Sequence, residues 1–231
     1  ASLATFFAFG IFYLLTKFSE PGNISQEEPA SSRYYLNKSY NDRDPYITKN
    51  PTLADMLTGP IITDLDPRKG AMQAPVTIVL FSDYVCSFCK QQEETIKQIL
   101  KDFADSVSLL WKDYPENNQE SVSWQAALAA RCAGEQGAYW QFHDLLYQNN
   151  NNLNQTTFLD LARRTSLNLE AFENCLASGR TANLVKDNII EANALGIKGI
   201  PFLYINDQEI MGEVTYDELK KLVELELDKI K

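Results

Sequence analysis

The chain has 231 residues, of which 45% are hydrophobic, which is enough for one sizeable core with appendages. Its net charge is -10 and its pI is near 4.7. This acidity excludes nucleic acid as the main partner, because phosphate binding needs a basic face. The four cysteines form an even count, which fits an oxidising compartment, although cytosolic proteins also carry close cysteine pairs.

The first segment is uncharged and apolar over 16 residues, and Lys17 ends the run. We predict that residues 1–18 form an uncleaved membrane anchor. A cleaved signal segment is the second interpretation and a buried helix is the third; no small-x-small cleavage site follows closely within the run. An anchor or a signal segment places the rest of the chain on the extracytoplasmic side.

Residues 19–59 are predicted to form a tether over the domain surface. They contain several Pro, Gly, Ser and Asn residues and scattered charges of both signs, which is typical of a linker. One short helix is predicted near residues 52–57, with Thr52 as its N-cap.

The next segment, residues 60–116, alternates strand and helix patterns. A short first strand is predicted at residues 59–64. The unbroken apolar run at residues 76–81 predicts a buried strand, and residues 107–111 predict another. Between them lies a helix with apolar residues at i, i+3, i+4 and i+7, namely Ile96, Ile99, Leu100 and Phe103. Strand, helix and strand form a βαβ unit with parallel strands.

Two cysteines lie where the buried strand passes into this helix. Cys86 is predicted at the helix N-terminus, where free backbone amides and the helix dipole stabilise a thiolate. Cys89 lies three residues later, close enough for a tight disulfide. This context favours thiol–disulfide exchange; half of a zinc site and an inert structural disulfide are the alternatives.

A helical block follows, because the apolar period becomes helical from about residue 121 to residue 195. Residues 117–197 are predicted to contain five helices. Thr156 is predicted to cap the third and Asn168 the fourth, which Gly179 closes.

Strand patterns return in the last segment, residues 198–231. Two short strands joined at residues 206–207 predict a hairpin. Thr215 and Glu218 predict a capping box for the last helix. The element order predicts an α/β protein with a thioredoxin fold, formed by residues 60–116 and 198–231, into which the helical domain is inserted.

At this point the sequence resembles the DsbA-like branch of the thioredoxin superfamily, a family of extracytoplasmic disulfide oxidoreductases. The resemblance covers roughly residues 60–230. It is carried by motifs that occur in one order, at residues 74–78, 81–84, 86–89, 112–115, 129–137, 142–146, 199–202 and 205–207.

The resemblance implies that Pro201 is a cis-proline facing the cysteine pair. X-Pro bonds are where cis peptides occur, and a proline is tolerated at the first residue of a strand. Ile200 would then offer its backbone to an extended substrate segment. A trans proline that merely opens the strand is the alternative.

Two positions depart from the family pattern. Family members often carry a buried acid six positions before the first cysteine, and here that position is Leu80. The dipeptide Ser87-Phe88 lacks the histidine of the most oxidising members. We therefore expect less stabilisation of the Cys86 thiolate and a less oxidising disulfide than in those members.

Two further cysteines, Cys132 and Cys175, fall in the helical block. They are predicted to form a structural disulfide, with two buried free thiols as the alternative. His143, the only histidine, is predicted to be a surface or core residue and not a catalytic base. The tryptophans are predicted to lie in the core or at a domain interface: Trp111, Trp124 and Trp140.

These features together predict an anchored thiol–disulfide oxidoreductase acting on exported proteins, with dithiol oxidation as its direction. Its expected partners are protein thiols and a quinone-linked membrane protein that reoxidises Cys86 and Cys89. No nucleotide or metal motif is present in the sequence, so no cofactor is expected beyond the cysteines. A reductase or isomerase is one alternative, and a non-catalytic docking subunit of a membrane assembly is another.

Overall fold

The computed structural model describes residues 52–230. The anchor predicted at residues 1–18 and the tether as far as residue 51 lie outside the described residues. The short helix predicted near residues 52–57 is confirmed as α1, Leu53–Met56, with Thr52 and Asp55 forming a capping box. Between residues 52 and 230, no helix has both the length and the apolar character needed to cross a membrane.

A mixed sheet of five strands forms the centre of the fold. The strands are β1 (Arg68–Gly70), β2 (Val76–Ser82), β3 (Val107–Asp113), β4 (Phe202–Ile205) and β5 (Gln208–Met211). Their order across the sheet is β1-β3-β2-β4-β5. β2 and β3 are parallel, as predicted for the βαβ unit, and the other neighbouring pairs are antiparallel.

Seven longer helices follow α1 within the described residues. They are α2 (Ser87–Asp102), α3 (Val122–Gly134), α4 (Tyr139–Gln148), α5 (Gln155–Arg164), α6 (Leu169–Ser178), α7 (Ala182–Ala194) and α8 (Tyr216–Asp228). α2 connects β2 to β3, and α3 to α7 lie between β3 and β4. This order confirms the predicted thioredoxin-like α/β fold.

Several helix ends follow the predicted capping residues. The side chain of Asn168 caps α6, and Gly179 closes that helix in the left-handed conformation with φ of 60°. Thr215 and Glu218 form the capping box of α8. The cap predicted at Thr156 is wrong, because Asn154 accepts the amide hydrogen bond of Thr157 at 3.0 Å and α5 begins directly after it.

The first strand predicted at residues 59–64 is also wrong, since the first strand is β1, at Arg68–Gly70. The amide of Ile61 donates to the Glu191 carboxylate at 2.7 Å, and its carbonyl accepts from the Lys112 ammonium. Side chains of α7 and β3 thus satisfy this backbone in place of a sheet neighbour. Ile61 and Ile62 are 40% and 50% exposed, so these two apolar residues do not belong to a buried strand.

The strand β2 is buried on both faces, which explains its continuous apolar sequence. One face packs into the main core with residues of α2 and α8: Ile78, Leu80, Ile96, Leu219 and Val223. The other face packs into a second cluster that includes residues of α7 and β4: Val79, Phe81, Leu110, Ala192 and Tyr204. The loop that leaves β2 therefore starts from a rigid base.

Candidate active site

Cys86 and Cys89 lie at the junction of β2 and α2 and are joined by a disulfide, with 5.2 Å between their Cα atoms. Cys86 is the N-cap of α2, and its carbonyl accepts from the Lys90 amide at 3.1 Å. Its Sγ accepts a hydrogen bond from the Cys89 amide, also at 3.1 Å. The amide and the helix N-terminus both favour negative charge on this sulfur.

The two cysteines differ in exposure. Cys86 is half-buried, whereas Cys89 is 0% exposed. Ser87 and Phe88 lie between them on the surface, and Phe88 is 60% exposed. An external thiolate can therefore reach the sulfur of Cys86 but not that of Cys89.

A cis-proline loop lies at the same end of the sheet. The Ile200–Pro201 peptide bond is cis. Phe202, the next residue, pairs with Phe81 near the end of β2, which places Pro201 where the chain leaves β2 for Cys86. The Pro201 carbonyl accepts from the Gly212 amide at 2.8 Å, which ties the loop to the end of β5.

Asp83 organises the loop between β2 and the disulfide, and it is 8% exposed. Its carboxylate accepts from the Ser123 hydroxyl at 2.7 Å and from the Val85 amide at 3.1 Å. Its carbonyl accepts from the Cys86 amide at 3.3 Å. Burial raises the pKa of Asp83, and the hydrogen bonds that its carboxylate accepts from Ser123 and Val85 offset only part of that rise.

Glu93, which was not among the predicted site residues, lies one helical turn after Cys89 and is 0% exposed. Its Oε1 lies 3.8 Å from Nε2 of His143, and none of these buried side-chain atoms has a hydrogen-bond partner among residues 52–230. Burial raises the pKa of Glu93, opposed by the charge of His143. A sequence signal existed, because Glu93 is an acid on the apolar face of α2.

His143 is a core residue at 0% exposure. Its ring lies in an aromatic cluster, with centroid distances of 4.8 Å to Trp111, 5.4 Å to Tyr84 and 5.2 Å to Tyr147. Its other nitrogen, Nδ1, lies 3.2 Å from Oδ1 of Asp144, which is partly exposed. The ring therefore connects the buried Glu93 with the surface.

Cys132 and Cys175 are joined by a disulfide between α3 and α6, with 5.8 Å between their Cα atoms. Both are almost completely buried. Trp111 and Trp124 are core residues, at 0% and 1% exposure, whereas Trp140 is half-buried. This second disulfide lies within the helical block and not at a strand-to-helix junction.

The pairing of the cysteines does not favour a zinc–thiolate centre. All four cysteine sulfur atoms are in disulfides, so they do not form the thiolate set that a zinc site would need. In the described part of the chain, one group of potential ligands lies within 4.8 Å: Glu93, His143 and Asp144. In this group Oε1 of Glu93 lies 3.8 Å from Nε2 of His143, and Oδ1 of Asp144 lies 3.2 Å from Nδ1 of the same ring.

A partly exposed cysteine at a helix N-terminus, a buried partner cysteine and a neighbouring cis-proline loop are the features of a thioredoxin-like thiol–disulfide exchange site. A family model described as "Thioredoxin" matches residues 63–225. The chain therefore belongs to the thioredoxin superfamily.

Individual relatives agree with this grouping. Disulfide bond formation protein D of Bacillus subtilis is 29% identical over 170 residues, covering 70% of this chain and 77% of the relative. The oxidised structure of BdbD from Bacillus subtilis matches with a TM-score of 0.64 and 28% identity, over 74% of this chain and 97% of that chain.

Another relative is a much longer protein. Na(+)/H(+) antiporter NhaA 3 of Salinispora tropica is 32% identical over 164 residues, which is 71% of this chain and 25% of the antiporter. The chain thus spans about a quarter of the length of the antiporters that it matches.

Proposed function

We propose that this protein oxidises dithiols in exported proteins through its Cys86–Cys89 disulfide. The observation that carries the proposal is the contrast between the two sulfurs: Cys86 is accessible and caps α2, while Cys89 is completely buried. A substrate thiolate attacks Sγ of Cys86, the Cys86–Cys89 bond breaks, and a mixed disulfide forms beside Ile200 and Pro201. A second substrate thiol resolves it and leaves both cysteines reduced.

The hydrogen bond to Cys86 supports oxidation as the direction. A donor at 3.1 Å and the α2 N-terminus stabilise the Cys86 thiolate, and a stabilised reduced form makes the disulfide a stronger oxidant. The chemistry uses the cysteines alone, with no other cofactor. Regeneration requires an oxidant for Cys86 and Cys89, for which we propose a quinone-linked membrane partner.

An extracytoplasmic location is part of the proposal. Two disulfides, one of them in the helical block away from the site, fit an oxidising compartment. The apolar residues 1–16 would hold the domain at the membrane surface. The name of the Bacillus subtilis relative, a disulfide bond formation protein, agrees with this chemistry.

Trapping of mixed disulfides tests the proposal. A Cys89→Ala variant in the native membrane should accumulate exported proteins bound to Cys86, because the buried thiol that reverses the mixed disulfide is missing. Cys86→Ala is the matched control and should trap none. A docking subunit would be supported by a different result. In that case the wild type shows no thiol exchange, and Cys86→Ala disrupts the membrane assembly to which the protein belongs. A reduction potential of about -270 mV for the Cys86–Cys89 pair would contradict the oxidase direction.

A further inference from the structure

We propose that a groove in the helical block binds an apolar and basic segment of the exported protein whose cysteine reacts with Cys86. The inference rests on the proposed function of the Cys86–Cys89 disulfide and names the class of segment that its substrates carry. It adds a second contact, formed by helices α3, α5 and α6, to the contact at the cis-proline loop.

The groove has an apolar lining. It has a volume of about 530 Å³ and lies between α3, α5 and α6. Phe158 in its lining is 3% exposed, and Leu159 and Leu176 are half-buried. Val122, the first residue of α3, also lines the groove and is 42% exposed. Apolar surface that is open in this way is covered favourably by the apolar side chains of a partner.

A covalent cross-link fixes two of the three helices that form the groove. Cys132 of α3 and Cys175 of α6 form a disulfide, and Cys175 directly precedes Leu176 of the lining. The third helix, α5, begins after its cap at Asn154, which also lines the groove. Because these walls are in place before a partner arrives, little ordering of the protein opposes binding.

The charge of the groove indicates what kind of segment it binds. In the described part of the chain, its lining contains two carboxylates, Glu120 and Glu173, and no basic side chain. Both residues are exposed, and neither has an ion pair or a side-chain hydrogen bond to another described residue through its carboxylate. The remaining polar side chains of the lining are amides: Gln125, Asn154 and Gln155. A basic segment complements this groove, whereas an acidic segment is repelled.

One loop connects the groove with the cis-proline loop. A second depression, of about 420 Å³, is lined by Ile200 and by Glu116 of the loop before α3. That loop then turns, because the Ser121 amide donates to the Asn118 carbonyl at 3.0 Å. A turn of this kind brings its two ends within about 7 Å of each other. Glu120, inside the turn, already lines the groove. A substrate segment that passes Ile200 can therefore follow this loop into the groove.

A second connection runs from the disulfide through α2. Lys90 lies one helical turn after Cys86, and its Nζ donates to Oδ1 of Asn150 at 3.0 Å. Asn150 precedes Asn154 of the groove lining by four residues. The distance from Cys86 to the groove is thus on the order of 20 Å, which an extended peptide spans with about six residues.

The test uses synthetic peptides and the purified, oxidised protein. Each peptide contains a Cys-Gly-Cys dithiol, a spacer of six Gly and Ser residues and a tail, which is Leu-Lys-Leu-Lys in the first peptide. The second peptide has Glu in place of Lys, the third has Ser in place of Leu, and the fourth has no tail. The second-order rate constant for reduction of the Cys86–Cys89 disulfide should be about tenfold higher for the first peptide than for the other three.

A matched pair of variants on α6 separates the groove from the overall acidity of the chain. Glu173 lines the groove, whereas Glu170 is exposed on the same helix outside it. Glu173→Gln should lower the rate constant of the Leu-Lys-Leu-Lys peptide about threefold and leave that of the peptide without a tail unchanged. Glu170→Gln changes the net charge equally and should leave both rate constants at the wild-type values.

Binding without chemistry gives an independent measurement. A labelled Leu-Lys-Leu-Lys peptide in which both cysteines are replaced by serine should bind the wild type and Cys86→Ala equally in fluorescence anisotropy. Its affinity should fall with added salt and should be lower for Glu173→Gln than for Glu170→Gln.

Three results would overturn the proposal. They are equal rate constants for the basic and acidic tails, equal effects of Glu173→Gln and Glu170→Gln, and no binding of the peptide without cysteine. Failure of the proposed function gives a different pattern, because then no peptide is oxidised, including the one without a tail. Circular dichroism checks that each variant is folded.

Discussion

Nε of Arg131 in α3 lies 2.6 Å from Oδ2 of Asp113 at the end of β3, and both side chains are buried. The same guanidinium donates to the Leu65 carbonyl at 2.8 Å and to Oδ1 of Asn188 in α7 at 2.9 Å. One cation thus joins the helical block, the sheet and the segment before β1. Asp113 is bound a second time by the Trp111 indole at 2.7 Å, so the ion pair is part of the core beneath the site.

Breaking this ion pair should destabilise the protein strongly. Arg131→Met leaves Asp113 buried without its cation, and such a loss costs about 3–5 kcal/mol. Urea unfolding measures the change in the free energy of unfolding. The matched control is Arg180→Met, since Arg180 pairs with Glu135 on the surface, and its urea midpoint should move much less. Equal shifts of the urea midpoint in the two variants would contradict the conclusion that the buried Arg131–Asp113 ion pair stabilises the fold.

The Cys132–Cys175 disulfide should stabilise the fold without taking part in exchange. It closes a loop with a sequence separation of 43, for which chain entropy gives a maximum of about 4 kcal/mol. We expect Cys132→Ala/Cys175→Ala to lose about 2–4 kcal/mol in urea unfolding and to keep the rate of thiol exchange at Cys86. A rate that fell tenfold in the still folded variant would show that the second disulfide is part of the redox path.

Asp144 should make stability depend on pH in acid. Burial alone would raise the pKa of Asp144, but the hydrogen bond from His143 and the charges of Lys69 and Lys97 lower it from 3.8 to about 2. A carboxyl with a lowered pKa stabilises the fold above its unfolded value and loses that contribution as pH falls through about 4 to 2.

The variant Asp144→Asn measures this contribution. Because Asp144 is half-exposed, we expect the variant to have a free energy of unfolding about 1 kcal/mol lower than the wild type at pH 7. This difference should disappear as the pH approaches 2. Urea unfolding of the oxidised protein at pH 7, 4.5 and 2.5 gives the comparison. Asp160→Asn, in an exposed pair with Arg163, serves as the control. A gap between Asp144→Asn and wild type that stayed constant with pH would disprove the electrostatic origin.

The exposed dipeptide should set how oxidising the site is. Phe88 is 60% exposed, so Phe88→His adds an imidazole beside Cys86 without disturbing the core. A cation or donor there stabilises the Cys86 thiolate, and we expect a higher reduction potential against glutathione than in the wild type. Phe88→Gln is the matched control without a charge and should change the potential less. An unchanged or lower potential in Phe88→His would contradict this account.

The local elements near the site could be predicted because short-range rules determine them. The apolar run at residues 76–81 and the following helical period fix β2, α2 and the helix N-terminus at Cys86. The strand predicted at residues 59–64, where two isoleucines are adjacent, was wrong. The backbone of Ile61 bonds to the side chains of Glu191 and Lys112, which are far away in sequence, and no local pattern encodes such a contact.

The neighbour of Glu93 at the site could likewise not be predicted from the sequence. Its place on the apolar face of α2 was visible in the sequence, but its proximity to His143 depends on how α4 packs against the sheet. A helical period gives the face of one helix and does not give the partner of that face. The aromatic cluster around His143 is likewise assembled from β3, α4 and the loop after β2.

The sequence by itself determined the element order, the helix that begins at Cys86 and the family to which the chain belongs, since these depend on periodicity, capping residues and motif spacing. Only the tertiary structure decided which sulfur is open to attack, which acid lies behind the other, and which cation holds the helical block to the sheet. Those properties arise from burial and from contacts between different elements, such as Glu93 of α2 with His143 of α4, and free energies of that kind depend on three-dimensional packing.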